Sequence, residues 1–167
     1  MERWDIYDAQ KCPTGRTMGR NEWILQEGEY HLTVLGVIKR TDGRFLITRR
    51  ALDKSWAPGS WEVPGGAVQA GEASRTAINR EILEETGLDV SGCVGKLALT
   101  YERVNLDEGD NYFVDCYLFV LDFSREDVCI LKEETIDFRL ATLAEIRELA
   151  RKGLFLHYDS IKQVFSS

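Results

Sequence analysis

Three glutamates, Glu81, Glu84 and Glu85, stand at i, i+3 and i+4 in a stretch that reads as helix from about Ala73 to Thr86. At 3.6 residues per turn, Glu84 and Glu85 fall within roughly 60 degrees on either side of Glu81, so the three carboxylates share one face. Ala77 and Leu88 lie on the same arc with Ile78 beside it, while Thr76, Asn79 and Thr86 lie opposite, so the acidic face is expected to look toward protein. A solvated charged face is the common alternative. Against it, Glu81 and Glu85 are like charges at i and i+4, which costs roughly 0.2–0.5 kcal/mol. All three acids also occupy the C-terminal half of the helix, where the macrodipole disfavours an exposed anion by about 0.3–1 kcal/mol. A hard dication, Mg²⁺ or Mn²⁺, would turn this repulsion into binding, because such ions take oxygen ligands and share them with substrate phosphates. Arg49 and Arg50, at the end of a strand, offer guanidinium forks for phosphate. Period-2 alternation lets only one of them face a given site. Arg80 has a plainer reading as a surface partner for a neighbouring glutamate.

The elements that must position these groups can be read in outline. His31 to Lys39 and Phe45 to Thr48 are rich in β-branched and apolar residues and flank the turn Thr41, Asp42, Gly43, which predicts a hairpin. The segment from Ala51 to Gly66 contains Pro58, Gly59, Pro64, Gly65 and Gly66 and reads as a loop. The helix follows, with Gly87 as its stop. A second hairpin is expected from Lys96–Val104 and Tyr112–Leu121, then a short strand over Ile136–Leu140. Thr142 and Glu145 form a capping box for a helix through Arg151, and Tyr158 to Phe165 is amphipathic. Residues 1–28, turn-rich around Cys12 to Gly15, read as an N-terminal arm or hairpin on one domain spanning 1–167. Hairpins mixed with isolated helices indicate an α+β fold.

Composition excludes several classes. A formal net charge of -7 opposes sequence-blind binding to a nucleic acid polymer, while a small phosphorylated substrate is compatible with it where Arg or metal supplies positive charge. Cys12, Cys93, Cys116 and Cys129 show no CxxC spacing, so they are expected to be reduced thiols and not a zinc or redox site. Met1 to Tyr7 lack the apolar core of a signal peptide, and no apolar run is long enough to span a bilayer. A cytoplasmic protein without membrane partners is the expectation, with a homodimer left open as its assembly.

From Gly66 through Glu72, Arg80, Glu81, Ile82, Glu84, Glu85, Gly87 and Leu88, the chain resembles the Nudix box, G-x5-E-x7-R-E-U-x-E-E-x-G-U with U aliphatic, at every defined position. Seven fixed residues, each at a background of roughly 5–10%, make a chance match very improbable. The resemblance extends upstream through Leu46 to Arg50 and Trp61 to Gly66, and more loosely over Gly36 to Leu143. It implies an α/β/α sandwich around a mixed β-sheet, and metal-dependent hydrolysis of a nucleoside diphosphate linked to another moiety. By position, Glu81, Glu84 and Glu85 would be metal ligands, assisted by the Gly65 carbonyl. Arg80 and Glu72 would hold the loop and helix, with Gly66 and Gly87 as structural glycines of the box. The catalytic base would be a box glutamate or an acid on a later loop, where Glu133 and Glu134 match, although both also read as exposed loop acids. The ions would neutralise the diphosphate while a carboxylate accepts the proton of an attacking water.

The arm, Trp4 to Asp8 and Thr14 to Arg16, with Tyr30, His31 and Leu32, resembles the branch that includes isopentenyl-diphosphate isomerase. That chemistry needs a cysteine shortly after a Trp matching Trp61, and several histidines. Here Glu62 to Gly66 hold no cysteine, and the chain has only His31 and His157. His31 is expected to be structural. A non-catalytic nucleotide sensor is the third reading, and the complete box speaks against it. Substrate patterns are incomplete: no proline follows Pro64, as ADP-ribose-directed relatives would have, and Ser55 stands where a coenzyme A-directed pattern needs Arg. Trp56, Trp61, Tyr101 and Tyr112 could serve as base-stacking or as packing aromatics.

Overall fold

A computed structural model describes residues 2–131 and 133–167. The element order is β1 (Arg3–Tyr7), β2 (Pro13–Gly19), β3 (His31–Arg40), β4 (Phe45–Arg50), β5 (Trp61–Glu62), β6 (Gly65–Ala67), α1 (Ser74–Thr86), β7 (Gly95–Arg103), β8 (Tyr112–Leu121), β9 (Thr135–Ala141), α2 (Leu143–Arg151) and α3 (Tyr158–Phe165). A mixed sheet runs β5-β4-β3-β8-β7, with β6 added to β3 and β9 to β4. Its centre is the parallel pair β3 and β8, in register from His31 with Tyr112 to Arg40 with Leu121. Both central strands are buried on two faces, as their near-continuous apolar sequences require.

Alternation along these strands divides the core into two layers. Leu32, Val34 and Ile38 of β3, with Phe113, Tyr117 and Phe119 of β8, meet Ala77, Ile78 and Ile82 of α1. Their neighbours Leu35, Val37, Val114, Cys116 and Leu118 face Ile146 of α2 and Ile161, Val164 and Phe165 of α3. Helices therefore cover both faces of the sheet, which is the expected sandwich. The approach of α1 is close, since a Cβ on Gly36 would lie 2.8 Å from Ile82 Cδ1.

The expected hairpin forms, β3 and β4 running antiparallel around the turn at Thr41, Asp42 and Gly43 with Arg40 N donating to Arg44 O at 2.7 Å. It is short: after Lys39 with Phe45 the strands diverge, β3 taking β6 as partner and β4 taking β5 and β9. Two expectations are corrected. The segment read as loop holds β5 and β6, two and three residues long, too short to leave a periodic pattern and formed only because β4 and β3 offer free edges. Thr86, placed on the solvent side of the helix, is buried, its hydroxyl donating to Ile82 O at 2.7 Å. Gly87 ends α1 as expected, at φ 77°, its N–H donating to Leu83 O.

Residues 3–19 form the antiparallel hairpin β1-β2, with its own small cluster of Trp4, Ile6, Met18 and Leu25. It is fastened to the segment before α1: Ala70 N donates to Arg3 O at 2.8 Å and Gly71 N to Asp5 Oδ2 at 2.8 Å. Lys11 at its turn reaches the buried Asp115, 2.7 Å away.

Candidate active site

The C-terminal half of α1, the β6 strand, the end of β4 and the turn before β9 enclose a polar cavity of about 380 Å³. Gly65, Gly66, Arg80, Glu81, Glu84 and Glu85 line it, together with Arg50 and Glu134. Gly66 is required by contact: a Cβ there would stand 2.5 Å from the Glu81 carboxyl carbon, so any side chain would displace that carboxylate. The sequence thus pairs the first residue of the motif with its central acid through space.

Arg80 organises the cluster. It grips Glu72 with two near-parallel bonds, Nε to Oε2 at 2.8 Å and Nη2 to Oε1 at 2.9 Å. Its Nη2 also donates to Ala67 O at 3.2 Å, and its Nη1 to Glu81 Oε1 at 2.8 Å and Glu84 Oε2 at 3.4 Å. One guanidinium therefore ties the loop preceding α1 to the helix and offsets part of the acidic charge. The ion pairs hold Glu72 below its ordinary value, through the Arg80 hydrogen bonds first, and raise Arg80.

The remaining acids are under electrostatic stress. Burial pushes Glu81 up to about 7, with Glu84 and Glu2 adding repulsion against the relief from Arg80. Glu85 keeps some exposed surface as a residue, yet its carboxyl is enclosed by protein. That burial, with repulsion from Glu62, Glu81 and Glu134, raises it well above the ordinary range, against an opposing pull from the Gly65 backbone amide. Glu62 is raised by burial too, partly relieved by Arg50 and Lys54. Glu84 is the exposed member, its side chain 55% accessible. Oxygen donors crowded together without enough positive charge suit a hard dication. Among the described residues no three His, Cys, Asp or Glu side chains already converge on one point to hold an ion, since Glu84 is exposed and Arg80 bonds both Glu81 and Glu84.

Arg50 lines the cavity, donating to Glu62 Oε2 at 3.3 Å, whereas Arg49 donates to Gly59 O at 2.9 Å and lies over Trp61. A register shift in the β4-β9 pairing falls between the two. Glu134, 68% accessible, lines the cavity 4.0 Å from Lys54 Nζ, and Glu133 is exposed and outside the lining. His31 is buried outside the acidic cavity, stacked on Trp4 with ring centroids 4.4 Å apart and with its Nε2 in hydrogen-bond contact with Asp110 Oδ1 at 2.9 Å.

Sequence reasoning missed Lys54, Glu2, Arg20 and Gln69, which complete the cavity wall. Lys54 carried a weak signal, a base in the loop just after Arg50. Glu2 and Arg20 carried none, because the hairpin brings them across from the far end of the chain; Glu2 accepts from Gln69 Nε2 at 3.4 Å and pairs with Arg20.

The NUDIX domain family model matches residues 29–163. Over 169 aligned residues, 99% of this chain and 95% of the relative, the sequence is 34% identical to a Nudix hydrolase of Listeria monocytogenes, lmo0368. Among solved structures, DR0079 from Deinococcus radiodurans superposes with a TM-score of 0.70 at 23% identity, covering 91% of this chain and 89% of that one. A MutT protein from Methanosarcina mazei Go1 gives a TM-score of 0.66 at 25% identity, over 82% and 93%.

Proposed function

The chain belongs to the Nudix family and is a hydrolase of phosphate anhydrides, and from that premise we propose that the acidic cavity on α1 binds Mg²⁺ or Mn²⁺ and hydrolyses a nucleoside diphosphate linked to another moiety. The observation that carries this reading is the pair of enclosed, mutually repelling carboxylates Glu81 and Glu85, a destabilising arrangement that a dication would reverse.

Glu81, Glu84 and Glu85, with the Gly65 carbonyl, are the ligands in this reading. When bound, the ion supplies positive charge to the diphosphate oxygens and makes an attacking water easier to deprotonate. Arg50, Lys54 and Arg20 lie around the same cavity and neutralise the outer phosphate oxygens. Arg80, locked by the Glu72 fork, keeps Glu81 against Gly66 so that the oxygen donors hold their positions. Water attacks phosphorus in line with the bridging oxygen, whose bond to phosphorus breaks as the new one forms. Glu134 accepts the proton released, because of the two later acids it alone lines the cavity.

The test is turnover of a panel of nucleoside diphosphate derivatives, with isopentenyl diphosphate included, in Mg²⁺ or Mn²⁺. Glu84→Gln and Glu85→Gln should lose most phosphate or nucleoside monophosphate release while their circular dichroism stays native. Full activity in both variants would remove the site, isomerised product would favour the isomerase reading, and binding without turnover would favour a sensor.

A further inference from the structure

A second pocket, of about 580 Å³, shares a wall with the acidic cavity. Thr33 and Leu35 of β3 line it, and their register partners Ala67 and Gly65 line the cavity. Arg50 also joins the two, lining the cavity while its guanidinium lies 5.3 Å from the Trp56 ring of the second pocket. The volume is within the range of small-molecule sites, roughly 300–1,000 Å³.

We propose that this pocket holds the base of the nucleotide substrate, that it prefers a base with an exocyclic amine, and that the end of the N-terminal hairpin segment, through Trp23, is a specificity element. The inference rests on the hydrolase reading above for the position of the phosphates. Four observations carry it. Trp23 and Trp56, 43% and 56% exposed, both line the pocket and offer stacking faces. Two buried polar atoms without partners among the described residues, His31 Nδ1 and Tyr101 Oη, belong to lining residues. Ser160 lies near the tyrosine hydroxyl, but short of hydrogen-bond geometry, and accepts from Arg103 instead. Buried polar groups are rarely left unpaired, so these await a ligand.

Backbone strain is concentrated here as well. Trp23 and His157 line the pocket with φ of 51° and 63°, and Ala57, next to Trp56, has φ 49°. Bulky residues seldom occupy that region, and where they do the surroundings must hold them, as at ligand clamps. Gly109 does so for Trp23: a Cβ there would lie 2.2 Å from the Trp23 carbonyl oxygen. Finally, among the described residues the lining includes Asp110 and Glu108 and neither Lys nor Arg. Carboxylates only accept hydrogen bonds, so Glu108, and Asp110 beside the bond that joins it to His31 Nε2 at 2.9 Å, favour a ring edge with an amino group, which carries two N–H donors, over one with a carbonyl oxygen in its place.

Isothermal titration of the metal-free full chain with AMP, inosine 5'-monophosphate, CMP, UMP and ribose 5-phosphate tests this. The expected result is AMP tighter than inosine 5'-monophosphate, and CMP tighter than UMP, by about tenfold, with ribose 5-phosphate weakest. Trp23→Ala and Trp56→Ala should weaken AMP by about tenfold and leave ribose 5-phosphate unchanged. Tyr101→Phe should narrow the gap between AMP and inosine 5'-monophosphate. Circular dichroism melting confirms that these variants fold. AMP binding no tighter than ribose 5-phosphate or inosine 5'-monophosphate overturns the proposal, as does unchanged AMP affinity in both tryptophan variants. Because the titration reads binding without metal or turnover, it can fail while the Glu85→Gln assay succeeds, and the reverse.

Discussion

Helices α1 and α2 cover opposite faces of one sheet and are built on opposite terms. α2 has a Thr142 cap, an acid in its first turn, a base in its last, and Glu145 held below its ordinary value by the Thr142 backbone and side chain and by Arg139. α1 has no side-chain cap, no acid in its first turn and no base in its last, and its acids gather at the end where the dipole opposes them. Local rules stabilise α2, while α1 persists because Ala77, Ile78 and Ile82 are fully buried and Arg80 ties it to Glu72. Where a helix breaks its local rules and tertiary contacts compensate, function is the expected reason.

The largest effect that would sharpen this contrast is in Glu85→Gln. Loss of a metal-holding charge should cut turnover by roughly 10³-fold, while the metal-free protein at neutral pH melts at a higher temperature, because a carboxyl that ionises freely in the unfolded chain and resists ionisation in the folded one is gone. A melting temperature that falls would mean that Glu85 is paired, and the contrast between the helices would fail.

The two helices should also respond to pH with opposite sign. Glu81 and Glu85 both have folded values raised above the unfolded one, so their contributions are fully present below about 4.5; that of Glu81 is lost as pH rises through about 7, and that of Glu85 is likewise lost on the alkaline side of the ordinary carboxylate range. For Glu81 the loss is up to about 3 kcal/mol. Glu145 is lowered, so its contribution holds above the unfolded value and disappears on acidification. Melting the metal-free protein between pH 4.5 and 8 should therefore show stability falling with pH, and Mg²⁺ should flatten the slope at its upper end. A slope unaffected by Mg²⁺ would break the link between the stressed acids and metal.

Gly66→Ala tests the same helix through its neighbour. The new methyl would meet the Glu81 carboxyl at 2.5 Å and push it out of line, with an expected activity loss of roughly 10- to 100-fold, the size seen when a ligand's support is removed. Retained activity would show that Glu81 can be displaced without cost.

How much of this was legible in the sequence follows from the same contrast. α2 could be read residue by residue, because Thr142 and Glu145 interact within one turn. The acids of α1 were legible as a cluster, since their spacing is local, but Thr86 was misplaced because a helical wheel does not report that the Cys129 segment crosses there, Cys129 N donating to Thr86 O at 2.8 Å. β5 and β6 exist only through pairing with distant strands. Glu2, Arg20 and Lys54 reach the cavity through the hairpin and a loop, and no periodicity encodes such an arrival.

The smallest predicted effect belongs to α2 and is its control. In Thr142→Ala the Glu145 N–H loses the Oγ1 that accepts its bond at 3.2 Å, while Glu145 Oε1 still accepts from the residue 142 amide, now at 3.0 Å. Half of the box survives, so the cost should lie near the usual figure for a lost cap, about 1 kcal/mol. That is a shift in melting temperature of about 2–4 °C for a domain of this size. Turnover should stay the same, because α2 touches the sheet through Ile146 on the face away from the acids. A drop in activity without a matching drop in stability would mean that α2 positions the cavity, through β9 and the Glu134 beside it, and that the division between a helix built for stability and a helix built for chemistry is drawn in the wrong place.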